Sequence, residues 1–191
     1  MHRRSKFVLA LTGALALAPV RQPAAAEMPG LPQLIELLSP PGERRADAFS
    51  TTAISSSRAR PVVDEAAALT TAPEGTAAAA LALPFPSGSA ALTAEAEKML
   101  EALARALNAP ELARYRFKIE GHTDTAGDAP INLALSERRA ATVREYLVGR
   151  LGVAAPRLVA VGLGETQLLV QTPDATAEPR NRRVQIVNIG G

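Results

Sequence analysis

The residues of this chain that are best placed to do chemistry lie between a predicted strand and a predicted helix. The segment IEGHTDTAGDAPINLALSERRAATV, residues 119–143, begins with the alternation of a strand and continues with the spacing of a helix. Five of its polar residues fall where a small domain usually places apolar side chains: His122, Asp124, Asn132, Ser136 and Arg139. Buried polar groups need partners, so this junction is a candidate ligand site.

Three of these side chains are chemically complementary to a small zwitterion. Asp124 offers a carboxylate to an ammonium, and Arg139 offers a planar fork that can hold a carboxylate through two hydrogen bonds. Asn132 offers both a donor and an acceptor. A ligand that carries an ammonium and a carboxylate on one carbon would therefore satisfy the set.

The helix that follows is predicted over residues 130–151, and its buried stripe changes character along its length. With successive residues about 100° apart, one stripe contains, in order, Asn132, Ser136, Arg139, Val143 and Leu147. The start of this stripe is polar and its end is apolar. The loop before the helix follows the C-terminal end of a strand, where open α/β sheets commonly bind ligands, and the helix start adds N–H groups that favour an anion.

Two other interpretations of these residues stay open on spacing alone. Asp124 and Arg139 could pair with each other and cap the helix, because Arg–Asp pairs in protein interiors are often structural. His122 and Asp124 could be two metal ligands, but His2 lies in the predicted leader and the spacing nominates no further ligands. We therefore expect no metal and no cofactor, and we expect His122 to be a hydrogen-bonded loop residue.

The elements around this junction predict one α/β (α+β) two-layer sandwich with the order β-α-β-α-β-β. In chain order they are a strand at Leu81, Leu83 and Phe85, a helix capped by Thr93, a strand over 115–119, the helix over 130–151, and strands near 158–163 and 184–187. Prolines at the end of the first strand predict a sheet edge. The strand over 158–163 is apolar on both faces, which predicts a central position under helices.

The first 26 residues have the three parts of a secretory signal peptide: a basic start, an apolar run over residues 7–20, and small residues before an expected cut at Glu27. An uncleaved membrane anchor is the alternative, but the run of 14 residues is shorter than the roughly 20 of a spanning helix. The chain has no cysteine, so neither a disulfide nor a lipidated cysteine at the cut is expected. We expect a periplasmic product with no transmembrane segment after cleavage.

Residues 27–78 are rich in Pro, Ala, Ser and Thr and show no sustained period, which predicts a mostly disordered linker before the domain at 79–191. Within this linker, residues 31–38 (LPQLIELL) predict a short amphipathic turn, and a small binding epitope around Leu34–Leu38 is an alternative interpretation. Without the four basic residues of the signal, 17 basic side chains face 19 acidic ones, a net charge of −2. Aromatic residues are scarce as well, so no nucleic-acid partner is expected.

Several short motifs occur one after another along the predicted domain. They are FPSGS at 85–89, IEGHTD at 119–124, Gly127, Asn132, LS at 135–136, RA at 139–140, RL at 157–158, GLGE at 162–165 and NRRV at 181–184. Together they span roughly residues 79–189. In this set and spacing the region resembles the OmpA-like C-terminal domain family, the peptidoglycan-binding module of envelope proteins. Ile131 departs from the family pattern, because many members have an aromatic residue there.

The resemblance implies noncovalent binding of peptidoglycan stem peptides through the free end of meso-diaminopimelate, which carries an ammonium and a carboxylate on one carbon. The implied ligand contacts are Asp124, Arg139, Asn132 and Thr123, with Gly127 and Arg182 as further candidates. One of the pair Arg182 and Arg183 is expected at the pocket, and the other in a structural ion pair.

The implied function is a non-enzymatic tether to the cell wall, in the periplasm and associated with the outer membrane or the wall. The alternative is an envelope scaffold whose main partner is another protein bound through residues 27–78. A wall hydrolase is not expected, because it needs a nucleophile or a metal-bound water. The chain has no cysteine and no serine in a G-x-S-x-G motif.

Overall fold

The computed structural model describes residues 29–43 and 70–191, and the predicted signal peptide lies outside these ranges. The helices are α1 (Leu31–Leu38), α2 (Ala94–Leu107) and α3 (Ala129–Gly149), and the strands are β1 (Ala78–Leu81), β2 (Phe117–His122), β3 (Leu158–Gly164) and β4 (Val184–Asn188). From β1 onward the order is the predicted β-α-β-α-β-β. In the part of the chain described, no helix is both long and apolar enough to cross a membrane.

The four strands form one mixed sheet with the order β1-β4-β2-β3. β2 and β3 are parallel, whereas β4 runs antiparallel to both β1 and β2. The C-terminal ends of β1, β2 and β3 therefore lie beside the N-terminal end of β4, at the same end of the sheet. There Val184 pairs with Leu81 on one side and with Gly121 on the other, and His122 pairs with Gly164.

The helices cover one face of this sheet, which confirms the predicted two-layer α/β arrangement. The core between the layers is one cluster, whose largest members include Phe117 and Ile119 of β2, Ile186 of β4, Leu100, Leu103 and Leu107 of α2, and Val143 and Leu147 of α3. Thr93 caps α2 as predicted, because its hydroxyl accepts a hydrogen bond from the N–H of Ala96 at 3.1 Å.

The prediction that the apolar third strand is central is wrong, since β3 lies at an edge of the sheet. Helix α3 packs along β3 and shields much of its apolar surface, but Val159 remains 38% exposed. The central position belongs to β4 and β2. β4 is buried along its whole length although it carries Gln185, because the amide of Gln185 donates to the Glu120 carboxylate at 3.0 Å.

The first strand lies closer to the N-terminus than predicted. β1 ends at Leu81 and pairs only with β4, so it lies at the predicted edge. Pro84 has no N–H to donate to a ladder, and the chain leaves the sheet before it. Leu83 is still buried after the strand ends, so the predicted apolar positions pack without forming a ladder.

Helix α1 packs into the core, which the linker interpretation of residues 27–78 did not anticipate. Leu34, Leu37 and Leu38 are at most 4% exposed, and α1 lies against α2 and β1. The side-chain amide of Asn188 donates to the carbonyl of Leu38 at 2.8 Å and ties α1 to the last strand. The predicted epitope at Leu34–Leu38 is therefore wrong, because its leucines are buried. The domain boundary at residue 79 remains a prediction, and residues 44–69 lie outside the described ranges.

Two glycines of the sheet allow α3 to approach it closely. A Cβ atom on Gly121 would lie 2.3 Å from the carbonyl oxygen of Ser136, and one on Gly162 would lie 2.4 Å from the backbone nitrogen of Glu137. Any larger residue would therefore push the helix backbone away from β2 and β3. This contact places the polar first half of α3 beside the strand ends.

Candidate functional site

An open cleft of about 660 Å³ lies where β2 ends and α3 begins. All six side chains or backbone positions predicted for the ligand site line it: Thr123, Asp124, Gly127, Asn132, Arg139 and Arg182. Its rim includes exposed residues, among them Gly88 and Ile131, so the cleft is accessible from solvent. The sequence therefore predicted correctly which residues lie together, while their role as ligand contacts remains a prediction.

Asp124 follows β2 and is 5% exposed. Its Oδ2 accepts a hydrogen bond from Arg182 Nη1 at 2.7 Å and another from the N–H of Glu178 at 3.2 Å. Within residues 29–43 and 70–191, Arg182 is its ion-pair partner, and Oδ1 accepts no hydrogen bond. The interpretation in which Asp124 simply pairs with Arg139 is therefore wrong.

Arg139 is held by the loop after β1 rather than by a carboxylate. Its Nε donates to the carbonyl of Ser89 at 3.0 Å and its Nη2 to the carbonyl of Pro86 at 3.5 Å, and its guanidinium carbon lies 4.9 Å from the ring centroid of Phe85. Among the residues described, no carboxylate lies within ion-pair distance of it. Burial and the nearby Arg182 lower its pKa, and Asp124 partly offsets this. Arg139 is thus a buried cation that lines the cleft. Its Nη1 donates no hydrogen bond to the described residues, so the guanidinium keeps unused donors.

Asn132, on the first turn of α3, has a fixed amide orientation. Its Nδ2 donates to the carbonyls of Asp124 and Ala126, both at 3.2 Å, and to Glu165 Oε2 at 2.8 Å. These acceptors all surround the same nitrogen, so the opposite end of the amide is the oxygen, an acceptor. A Cβ atom on Gly127 would lie 3.9 Å from this Oδ1, so the backbone of Gly127 passes close to it.

Glu165 is a residue of the site for which the sequence predicted no role. It follows β3 directly, and β3 is parallel to β2, so the residues after both strands reach the same edge of the sheet. That topology is the feature from which its position could have been inferred. Its contact with Asn132 makes it a positioning residue, because it helps to set which atom of the amide faces the cleft.

Thr123 and Ser136 differ in how their hydroxyls are used. Thr123 is 2% exposed, and its Oγ1 has no hydrogen-bond partner among the residues described. Ser136 donates to the carbonyl of Leu133 at 2.7 Å and accepts from the N–H of Gly164 at 2.9 Å. Ser136 therefore joins α3 to the end of β3, whereas the hydroxyl of Thr123 lies at the cleft without a partner.

His122 is not in a loop and its ring makes no hydrogen bond in the described residues, so the prediction of a hydrogen-bonded loop residue is wrong. It is the last residue of β2 and 1% exposed, because the strand continues further than its alternating pattern indicated. Its Nε2 lies 3.8 Å from Glu120 Oε2, beyond hydrogen-bonding distance. Burial lowers its pKa and favours the neutral ring. In the described ranges no group of three or more His, Cys, Asp or Glu residues could hold a metal ion.

Of the two neighbouring arginines before β4, Arg182 takes both roles that the sequence divided between them. Arg182 lines the cleft and pairs with Asp124, with 45% of its side chain exposed. Arg183 is buried, and its Nη2 donates to Thr71 Oγ1 at 2.8 Å and to the carbonyl of Gln167 at 3.3 Å. Burial lowers the pKa of Arg183 to about 10. Arg183 therefore binds neutral groups rather than the expected ion-pair partner.

The fold and the sequence together define the family. Residues 84–182, more than half of the chain, match the family described as the OmpA family. The chain therefore belongs to the OmpA family.

Its relatives include a peptidoglycan-associated lipoprotein of Mesorhizobium japonicum, 35% identical over 99 residues, which covers 52% of this chain and 57% of the relative. The peptidoglycan-binding protein ArfA of Mycobacterium tuberculosis is 42% identical over 72 residues, 38% of this chain and 22% of the relative. This chain thus spans less than two thirds of either relative. The cell wall anchor of the T6SS from Pseudomonas aeruginosa has a TM-score of 0.52 and 27% identity, covering 68% of this chain and 94% of that structure.

Proposed function

We propose that this protein binds peptidoglycan noncovalently through the cleft and tethers an exported envelope protein to the cell wall. The ligand group is the free end of diaminopimelate in the stem peptides. One observation carries the proposal: the Asp124 carboxylate and the buried Arg139 guanidinium, which do not pair with each other, line the same open cleft. The names of the lipoprotein and ArfA relatives, which refer to peptidoglycan, support it.

The ammonium of such a ligand is expected to bind where two acceptor oxygens are available. The two residues that supply these oxygens both line the cleft. The oxygens are Oδ1 of Asp124, which accepts no hydrogen bond in the described residues, and Oδ1 of Asn132, whose amide is held in its orientation. The hydroxyl of Thr123 can add a third contact. The backbone of Gly127 leaves this side of the cleft open, since glycine has no side chain to fill it.

The carboxylate of the ligand is expected to bind Arg139, whose unused donors need an acceptor. Each hydrogen bond to a charged group contributes roughly 1.5–3 kcal/mol net. A single pocket then binds modestly, and retention on the wall comes from the many identical stem peptides that surround it. Arg182 lines the same cleft and adds positive charge near the ligand.

A sedimentation assay with purified sacculi tests this proposal. Asp124→Asn and Arg139→Gln should each abolish co-sedimentation while the circular dichroism spectrum stays that of the folded protein. Arg138→Gln is the matched control, because Arg138 is the exposed neighbour of Arg139 on α3. Free diaminopimelate should compete with the sacculi for the wild-type chain. Retention of both cleft variants at the wild-type level would overturn the assignment.

The scaffold alternative rests on a protein partner for residues 27–78. The leucines of its predicted epitope at Leu34–Leu38 are buried, so a partner would have to contact other residues of this region. The longest stretch left is residues 44–69, which lie outside the described ranges. Replacing residues 44–69 with a Gly/Ser segment of equal length keeps α1 and the core. Full complementation of a deletion strain by this variant would exclude an essential partner there.

We propose a periplasmic location, at the outer membrane or the wall, and a binding rather than an enzymatic role. A carboxylate and a guanidinium that are complementary to a zwitterion line the cleft, and the relatives' names describe peptidoglycan association or binding. Release of soluble fragments from peptidoglycan by the purified chain would contradict the non-enzymatic assignment.

A further inference from the structure

A second cavity, of about 230 Å³, lies next to the cleft. It is lined by residues 82–85, by Pro179, and by His122 together with Arg139, Arg182 and Arg183. Phe85, Arg139 and Arg182 also line the cleft, so the two spaces adjoin and share these side chains. The residues that line this second cavity include three arginines and no acidic residue.

Two residues that line this cavity, His122 and Arg183, carry buried polar atoms without partners. In the part of the chain described, both ring nitrogens of His122 and the Nε of Arg183 are buried and make no hydrogen bond. His122 is 1% exposed and Arg183 5% exposed. Buried polar atoms are nearly always paired in native proteins, and an unpaired donor is costly. A guanidinium can only donate, so the missing partner of Arg183 is an acceptor.

The acidic residues near the cavity are already engaged by other groups. Glu120 approaches His122, but its Oε1 pairs with Lys118 at 2.7 Å and its Oε2 accepts from Gln185 at 3.0 Å. Asp124 pairs with Arg182. Of the three arginines, Arg182 is thus paired with Asp124, whereas Arg139 and Arg183 have no carboxylate partner in the described residues, and the cavity is left with an excess of positive charge.

The wall formed by residues 82–85 limits the kind of anion. It consists of Ala82, Leu83, Pro84 and Phe85, so one half of the cavity is apolar and the other cationic. An inorganic phosphate or sulfate is polar on all sides and would lose hydration against this wall without new partners. A carboxylate on a short aliphatic stem matches both halves.

We propose that this cavity is a binding site for a carboxylate carried on a short aliphatic stem. The carboxylate accepts hydrogen bonds from Arg183 Nε and from the ring N–H of His122, and its stem packs on residues 82–85. It comes either from a free small acid or from a second carboxylate of the molecule that occupies the cleft. The site stands on its own geometry and does not depend on the proposed function.

Acetate is the probe for this site, added to the full-length chain at constant ionic strength maintained with sodium chloride. The His122 ring resonances are assigned by comparison with His2→Gln, since the chain has two histidines. We expect saturable shifts of the His122 ring and of the Arg183 Nε–H resonance. We also expect the apparent pKa of His122 to rise in acetate, because a nearby anion stabilises the protonated ring.

Ala82 supplies a matched pair of variants that leaves the buried arginines untouched. Ala82 lines the cavity and is exposed, so a longer side chain there is compatible with folding. Ala82→Glu places a carboxylate at the site and should abolish acetate saturation, whereas the neutral Ala82→Gln should retain at least part of it. Arg183→Gln is the direct test if it folds, and the Ala82 pair keeps the proposal testable if it does not.

Diaminopimelate distinguishes the two sources of the carboxylate. Unchanged acetate saturation in its presence assigns the site to a free acid, and displacement of acetate assigns it to the cleft ligand. Shifts that stay linear in acetate, saturation unaffected by Ala82→Glu, or tighter binding of inorganic phosphate would each overturn the proposal. Failure of sacculus binding together with saturable acetate binding would reject the proposed function alone.

Discussion

The two halves of helix α3 bury the same stripe against the sheet but fill it with opposite chemistry. In the first half the buried side chains include Asn132, Ser136 and Arg139, and in the second half they include Val143 and Leu147. The second half packs in the core cluster, whereas the first half lies at the strand ends beside an open cleft. Burial alone therefore does not identify a residue as part of the core, because the first half uses it to hold polar groups in fixed orientations.

The largest effect on stability is expected from the apolar half. Leu147→Ala removes a fully buried side chain and should lower the free energy of unfolding by about 2–5 kcal/mol, measured by urea denaturation. Leu147 does not line the cleft, so the folded fraction should bind sacculi as the wild type does. A loss of binding under conditions in which this variant is fully folded would contradict the claim that the apolar half contributes only to stability.

The next largest effect is expected where the polar half touches the sheet. Gly121→Ala forces a Cβ atom to within 2.3 Å of the Ser136 carbonyl oxygen, a backbone atom, so the helix must shift. We expect a loss of about 3 kcal/mol in the free energy of unfolding. Sacculus binding should fall as well, since Asn132 and Arg139 move with the helix.

Gly149→Ala is the control for this substitution, because a Cβ atom there meets nothing within 4 Å. Alanine is the better helix former, so this control should be neutral or stabilising by up to about 1 kcal/mol. Equal stability of the two alanine variants would show that the close approach of α3 to β2 does not constrain the sequence.

Ser136→Ala should have an intermediate effect. It leaves the buried N–H of Gly164 without its acceptor, which costs about 1–3 kcal/mol. Thr142→Ala is the control, because its hydroxyl donates to a helix carbonyl at an exposed position and its loss should change stability by no more than about 0.5 kcal/mol. Thermal denaturation compares the two directly. If the Ser136 variant is as stable as the Thr142 variant, the hydrogen bond that joins α3 to β3 does not contribute to stability.

The smallest effect is expected at the positioning residue Glu165. Glu165→Ala removes one acceptor of the Asn132 amide and should weaken diaminopimelate binding by about tenfold, equivalent to about 1.4 kcal/mol. Glu165→Gln can still accept through its amide oxygen and should restore much of the affinity. Calorimetric titration measures both. If glutamine and alanine weaken binding equally, the contribution of Glu165 is its charge rather than its hold on Asn132.

The sequence was sufficient where the information is local. The order of strands and helices, the cap at Thr93 and the shared stripe of Asn132, Ser136 and Arg139 all follow from patterns within one element, and the structure has them as predicted. The shared position of Asp124 and Asn132 at the cleft was predicted as well, because the loop after a strand and the first turn of the next helix are close neighbours in an α/β unit. Gly127 and Arg182 were predicted only from the family resemblance.

The sequence was insufficient where partners come from distant parts of the chain. The partner of Asp124 is Arg182, and Arg139 is held by the carbonyl of Ser89; neither contact follows from spacing. The edge position of β3 depends on strand order, which apolar content does not determine. Residues 31–38 predicted a short amphipathic turn, but the packing of helix α1 into the core was missed, because a short segment in a proline-rich region buries its leucines only through tertiary contacts.

Calorimetric titration of the full-length chain with diaminopimelate and with pimelate tests the central assignment most directly. Pimelate has the same carbon chain and carboxylates but lacks the ammonium groups. If Asp124 and Asn132 bind an ammonium while Arg139 binds the adjacent carboxylate, diaminopimelate binds and pimelate does not, and Asp124→Asn removes the difference. Pimelate that binds as tightly as diaminopimelate would contradict the account.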